Sequence, residues 1–217
     1  MSKKLLDKNF CVIPWTGFEL EPNGNVKNCI ISKEKIGNIY TKDINSILKG
    51  NTEIKQKMLD GQYPSNCAGC YLQEKHRKIN FDSISSRLYY AKEIGPYVKK
   101  TLFDNKNNFD LKHVDLRWSN ACNQACVYCN AKSSSKWATE LGEKIPNNKK
   151  QIEQIKQYVF DNVKNLKNVY LAGGEPLLIK ANQDFLDLLY KENPNVNLRV
   201  NTNLSKTNTK VFDQLCK

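Results

Sequence analysis

Three cysteines packed into eight residues, Cys122, Cys126 and Cys129 in the segment CNQACVYC, constrain this chain more than any other feature. Thiolates so close in sequence can wrap a small inorganic cluster, but three of them cannot complete a tetrahedral zinc site without a distant fourth ligand. An iron-sulfur cube held by three cysteines leaves one iron with an open position for a substrate or cofactor. A zinc loop with a borrowed ligand, or simple surface cysteines, is the alternative this spacing leaves open. In all, eight cysteines fall at 11, 29, 67, 70, 122, 126, 129 and 216. In a reducing compartment such grouping argues for metal ligation or redox chemistry rather than disulfides. A cytoplasmic location is the expectation, because no apolar run approaches the ~18 residues needed to cross a bilayer. The opening MSKKLLDK also loses its apolar stretch after two leucines, too early for a signal peptide.

The 217 residues, 40% hydrophobic and 26% charged, are globular in composition and fit one large domain or two small ones. A net charge of +12 raises the question of nucleic acid, but its distribution argues against that partner. Residues 1–110 hold 18 basic and 12 acidic side chains and residues 111–217 hold 16 and 10, so each half carries +6 with no basic block. Only four of the 34 basic residues are arginine, the residue suited to forked phosphate recognition.

Alternating polarity around an Asn-Gly turn at 22–25 predicts a β-hairpin over 16–30. Short helices follow at about 43–50 and 52–60, each closed by glycine, then a turn-rich loop carrying Cys67-Ala-Gly-Cys70 and two further helical stretches. Residues 104–110 read as a linker. Beyond them the rhythm changes to strand (113–118), cysteine loop, helices (133–142 and 149–163), strand (168–172), helix, strand (196–201) and a last helix from about 207. Alternating strand and helix implies parallel strands with right-handed crossovers. His76 and His113 read as ordinary polar residues and Cys216 as a buried helix cysteine. For Arg117 and Trp118 on the first strand, interior, core and surface positions are all open.

The cysteine loop, with an aromatic residue (Tyr128) just before its last cysteine, resembles the radical S-adenosylmethionine (radical SAM) superfamily. The segment LAGGEPLL at 171–178 is similar to that family's GGEP motif at the end of its second strand, and VNTN at 200–203 resembles its third strand. The family's usual glycine after that strand is Leu204 here. This resemblance implies that Cys122, Cys126 and Cys129 bind a 4Fe-4S cluster whose open iron chelates S-adenosylmethionine. It further implies that Gly173, Gly174 and Glu175 contact the methionyl ammonium, and that Tyr128 and Asn203 belong to the cofactor site. Reductive cleavage would then yield a 5'-deoxyadenosyl radical for hydrogen abstraction, as an oxidoreductase-type reaction with no catalytic side chain assigned. Partners implied are an electron donor such as flavodoxin or ferredoxin and a substrate, with peptide or protein favoured over a small molecule.

The four remaining paired cysteines, Cys11, Cys29, Cys67 and Cys70, suit either structural zinc or a fully ligated cluster by spacing alone. Their setting, FELEPNGNVKNC at 18–29 followed by IGNI at 36–39 and the C-x2-C loop, resembles SPASM and twitch domains, which implies an auxiliary 4Fe-4S cluster. The expected fold class is therefore α/β: a partial (β/α) radical SAM barrel of about three strand–helix units over 111–217, preceded over 1–110 by a small α+β twitch-like domain and linker. Two departures stand out. The auxiliary domain ordinarily follows the barrel, and the barrel ordinarily has six units. Three parallel strands with an unpaired edge predict a need for a partner or a missing segment to complete the barrel. The rival reading is a non-catalytic zinc- or iron-sulfur-binding scaffold.

Overall fold

A computed structural model describes residues 9–76, 84–146 and 149–217; the opening octapeptide and Arg77 lie outside the described residues. A short helical turn, α1 (Ile13–Thr16), leads directly into strand β1 (Gly17–Leu20), which pairs antiparallel with β2 (Asn25–Lys27) across the Asn-Gly turn. The two-residue strand β3 (Gly37–Asn38) adds to β2. Helix α2 (Ile44–Gly50) starts where Asp43 accepts the Ser46 N–H at 2.9 Å, satisfying one of the free donors of a helix N-terminus. Then come α3 (Thr52–Leu59), α4 (Ala68–His76) and α5 (Ser86–Ile94). The second half supplies β4 (His113–Leu116), α6 (Ser135–Glu140), α7 (Lys149–Asp161), β5 (Asn168–Leu171), α8 (Lys180–Glu192), β6 (Asn197–Val200) and α9 (Lys210–Leu215).

All six strands form one sheet in the order β3-β2-β1-β4-β5-β6. The parallel strands are therefore not the isolated trio expected from sequence. Strand β1 lies parallel against β4, with Gly17 opposite His113 and Leu20 opposite Leu116, so the hairpin covers one side of the trio. On the other side β6 bonds β5 and, among the described residues, no further strand. The stretch 104–110 is not a loose linker either. Its backbone is tied to α1, with the Asp110 N–H donating to the Trp15 carbonyl (2.9 Å) and the Trp15 indole N–H to the Asn105 carbonyl (3.3 Å).

The two faces of the sheet differ because its strands alternate. Phe18, Leu20, Val114, Leu116, Val169 and Leu171 point to one side, all fully buried, and pack against Ile155 and Val159 of α7 and Phe185 of α8. A second core forms around Phe10, Trp15 and Phe103, whose ring centroids lie 5.1–5.7 Å apart, with Met58 and Ile94 beside them. Lys55 is fully buried at its edge: its ammonium donates to the Asn108 carbonyl (3.0 Å), and burial pushes its pKa down to about 8. Cys216, expected as a buried helix cysteine, is exposed just past the end of α9. His113, expected to be unremarkable, is buried on the opposite face of the sheet from the main core, bonded to the Tyr90 hydroxyl (3.1 Å) and the Asn168 carbonyl (3.2 Å). No helix among the described residues is long and apolar enough to cross a membrane.

A sheet that runs through both halves couples them. Trp15 lies in the second core and Trp118 in the main core, which draws on both halves, while Trp137 of α6 stays in both variants below. Urea unfolding followed by fluorescence of the Trp15→Phe and Trp118→Phe variants should, after normalising each for its own stability by circular dichroism, give one transition per variant seen identically by both probes. Non-coincident curves would mean that the halves unfold separately.

Candidate cofactor and metal site

The loops that follow β4, β5 and β6 meet beyond the carboxyl ends of the strands, the usual ligand-binding edge of a parallel sheet. The cysteine loop leaves β4 and is pinned by side chain–backbone bonds. The Cys122 N–H donates to Ser135 Oγ (3.0 Å), the Ser134 hydroxyl donates to the Gln124 carbonyl (2.6 Å), and the Trp137 indole N–H donates to the Cys126 carbonyl (2.8 Å). Helix α6 thus serves as the frame of the loop. Its three cysteines are free and half-buried, while Val127 and Tyr128 stand out at 94% and 85% exposed. Burial, then the neighbouring Cys126 and Cys122 sulfurs, raises the Cys129 pKa.

Gly173 and Gly174 both adopt left-handed backbone, φ +76° and +48°. Their smallness serves the cysteine loop: a Cβ on Gly174 would lie 2.2 Å from the Ala121 carbonyl oxygen, and one on Gly173 would lie 2.6 Å from Arg117 Cβ. The next N–H, that of Glu175, donates to that same Ala121 carbonyl at 2.8 Å. The Glu175 carboxylate, expected at a ligand ammonium, is instead 1% exposed. It accepts from the Leu177 N–H (3.1 Å), the Asn203 N–H (2.8 Å) and the Thr202 hydroxyl, and so braces the β5 loop against the β6 loop. The reason is local: loops this close leave backbone donors that need an internal acceptor. Asn203 is exposed and reaches Asn123 of the cysteine loop (3.2 Å), closing the ring of three loops. Leu204, where the family has glycine, sits at φ +53°.

The other four cysteines converge from separate elements. Cys11 precedes α1, Cys29 follows β2, Cys67 ends a 3-10 turn and Cys70 lies in the first turn of α4. Gly69 lets the C-x2-C loop close on the Cys29 loop, since a Cβ there would lie 2.6 Å from Ile31 Cγ2. Arg87 of α5 bonds Glu74 of α4 through Nε (2.9 Å) and the Phe10 carbonyl through Nη1 (2.9 Å), fastening the Cys11 and Cys70 segments together. Burial, and after it the neighbouring thiols, pushes Cys11 well up and Cys67 to about 12; burial chiefly pushes Cys29 to about 11. Four free sulfurs that feel one another's charge in a buried setting are a donor set that a bound metal would deprotonate. Among the described residues, no three Cys, His, Asp or Glu side chains converge tightly enough for a single metal ion.

Family models match both parts of the chain: the radical SAM superfamily over residues 116–217, and an iron-sulfur cluster-binding domain (SPASM) over 11–71. Residues 116–217 belong to the radical SAM superfamily. The radical SAM match encloses the three-cysteine loop, and the SPASM match encloses Cys11, Cys29, Cys67 and Cys70. A radical SAM domain implies, in general, reductive cleavage of S-adenosylmethionine at an iron-sulfur cluster. No significant match exists among curated proteins or among solved structures.

Sequence reasoning missed the polar row between the radical SAM loops and the SPASM cysteines. Lys27, Glu19, Asp115, Tyr170 and Arg199 occupy one register across five strands, on the face opposite the main core. Arg117 forks onto Asp115 (3.1 and 3.0 Å) and reaches Glu19 at 3.1 Å, and Lys27 stands 3.7 Å from Glu19. The signal was available in sequence, because strands buried on both faces should be continuously apolar, while each of these carries a polar residue at alternate positions.

Two expectations follow. Burial raises the Glu19 pKa from 4.5 to about 7 and lowers the His113 pKa from 6.5 to about 4. Glu19 therefore favours the folded state fully below about 4.5, and that contribution is lost as pH rises through about 7. The His113 contribution is full above about 6.5 and is lost as pH falls through about 4. Between these limits the two slopes oppose each other. Glu19→Gln should leave the His113 slope uncompensated, so that urea-unfolding stability climbs by about 2 kcal/mol from pH 4.5 to 6.5 relative to the parent; a parallel profile would contradict the assignment. The second concerns backbone strain: Gly174→Ala should cost about 2 kcal/mol or more, while Leu204→Gly should gain about 0.5–1 kcal/mol by removing left-handed strain. Thermal melts of the two variants check the opposite signs.

Proposed function

We propose that this chain is a radical SAM enzyme, or the N-terminal part of one, with Cys122, Cys126 and Cys129 holding the 4Fe-4S cluster that binds S-adenosylmethionine. The observation that carries the proposal is the knitting of three loops, from three parallel strands, around an open three-thiol set. When bound, the cluster and S-adenosylmethionine supply one-electron reduction of the sulfonium and a 5'-deoxyadenosyl radical that takes a substrate hydrogen. The chain's own residues orient these groups. Gly173 and Gly174, half-buried, offer backbone carbonyls toward the methionyl ammonium, with Glu175 fixing the loop that carries them. Tyr128 gives the cofactor an exposed ring beside the cluster ligands, and Asn203 offers a side-chain amide at the rim.

Cys11, Cys29, Cys67 and Cys70 hold a second, fully ligated 4Fe-4S cluster in this reading, supported by their mutual charge coupling and the SPASM match. A small acidic electron donor such as flavodoxin or ferredoxin delivers the electron. A peptide or protein is the favoured substrate, by analogy with other SPASM-bearing enzymes.

Anaerobic reconstitution with iron and sulfide tests the assignment. The full chain should take up about eight irons and absorb near ~400 nm. Replacing Cys122, Cys126 or Cys129 by Ala should remove about half of that iron and abolish S-adenosylmethionine cleavage, whereas the Cys67→Ala/Cys70→Ala pair should lose the other half and still bind S-adenosylmethionine. Cleavage at the parent rate in any single variant, or tightly held zinc without a chromophore, would overturn it.

A further inference from the structure

The polar row holds three cations, including Arg117, against two carboxylates. Arg117 and Lys27 serve Glu19 and Asp115, with Lys27 also 3.5 Å from Glu21. Arg199, at the β6 end of the row, has no carboxylate within ion-pair distance among the described residues. Its guanidinium carbon instead lies 4.6 Å from the Tyr89 ring centroid and 5.8 Å from that of Tyr170. Aromatic faces hold a guanidinium by its plane and leave its in-plane N–H donors free for a ligand, and Arg199 is exposed, so a ligand reaching it displaces only solvent. Tyr89 is itself fixed, its hydroxyl accepting from Asn168 (3.1 Å) and Asn197 (3.2 Å), so the clamp on Arg199 is prepositioned.

Arg199 borders a cavity of about 330 Å³ lined by Ile30, Ile84, Tyr89, Tyr90 and Tyr170, with Asp115 also on its wall. Asp115, Tyr170 and Arg199 each stand one residue before the last of their strand, so the cavity lies just beneath the loops that carry Cys122–Cys129, Gly173–Gly174 and Asn203. We propose that Arg199 anchors a carboxylate of the substrate in this cavity, the apolar and phenolic walls taking the body attached to it. This rests on the radical SAM reading for its meaning as a substrate site.

The chemistry favours a carboxylate over a phosphate. A single planar fork matches a carboxylate with two parallel hydrogen bonds. Among the described residues no second cation lines the cavity to neutralise a dianion, and the Asp115 carboxylate on its wall repels double charge more than single. The carboxylate can belong to a chain terminus or to an acidic side chain.

The test uses the full chain, reconstituted anaerobically, and reads the Arg199 Nε–H resonance by NMR, assigned through the Arg199→Gln variant; the sequence has only four arginines. N-acetylphenylalanine should shift that resonance saturably, N-acetylphenylalaninamide should not, and inorganic phosphate should bind at least about tenfold more weakly. N-acetylglutamic acid amidated at its α-carboxyl separates the two sources, since a terminus-specific site rejects it and a side-chain site takes it. Isothermal titration calorimetry of N-acetylphenylalanine, which does not depend on the Arg199 signal, reads the variants: Arg199→Gln should abolish the binding, and Arg199→Lys, which keeps the charge but loses the fork, should weaken it about tenfold or more. Iron content and S-adenosylmethionine cleavage, measured on the same parent samples, show separately whether the radical SAM reading stands. Failure of the acid to bind, equal binding of the amide, phosphate binding as tight as the acid, or undiminished binding to Arg199→Gln with unchanged iron content would overturn the proposal.

Discussion

The parallel pairing of β1 with β4, four successive Cα partners from Gly17–His113 to Leu20–Leu116, fixes how the two cysteine sites stand to each other. Without it the hairpin would carry its cysteines as an independent appendage. With it, Glu19 and Asp115 become cross-strand neighbours and share Arg117. Adjacent buried carboxylates repel, and their desolvation costs several kcal/mol unless a cation lies between them. Arg117 is that cation, and the residue after its partner on β5's loop must be small for it to stay: Gly173 packs against its Cβ. The polar row, the GG loop and the hairpin thus depend on one another through a single side chain.

The two faces of the sheet have separate duties. One is apolar and carries the helices, burying Val114, Leu116, Val169 and Leu171 against α7 and α8. The other is polar and lined with tyrosines, and it leads upward to the cysteine loop. Such a division packs one face tightly behind the loops and leaves a cavity of about 330 Å³ in front of the other. The three loops above are rigid for the same reason, since each lends a hydrogen bond to the next: Glu175 to Ala121, Asn203 to Glu175 and Asn203 to Asn123.

The radical SAM match begins at Leu116, within β4, and the SPASM match ends at Tyr71, within α4. The stretch between them is not passive. It supplies Arg87, which fastens the SPASM cysteine segments, and Tyr89 and Tyr90, which reach the radical SAM strands through Asn168 and His113. The contacts that join the two family segments are therefore carried by residues that lie outside both matches.

Much of this was legible in the sequence. The hairpin, the Asp43 cap, the strand–helix rhythm and both cysteine sets follow from local rules: turn residues, capping side chains, periodicity and ligand spacing act over a few positions and leave a mark at each. What only the tertiary structure decided were relations between distant segments. That β1 joins β4 depends on long-range pairing, which no local pattern encodes. That the Glu175 carboxylate braces two loops, and that His113 is buried while Cys216 is exposed, depends on which loops and helices close over them. The alternation of polar residues on five strands announced that one face would be polar, but the alignment of Lys27, Glu19, Asp115, Tyr170 and Arg199 into one row needed the register. A shift of one residue in any strand would have turned its member to the other face, so register, a property of the assembled sheet, made a set of scattered polar residues into one row.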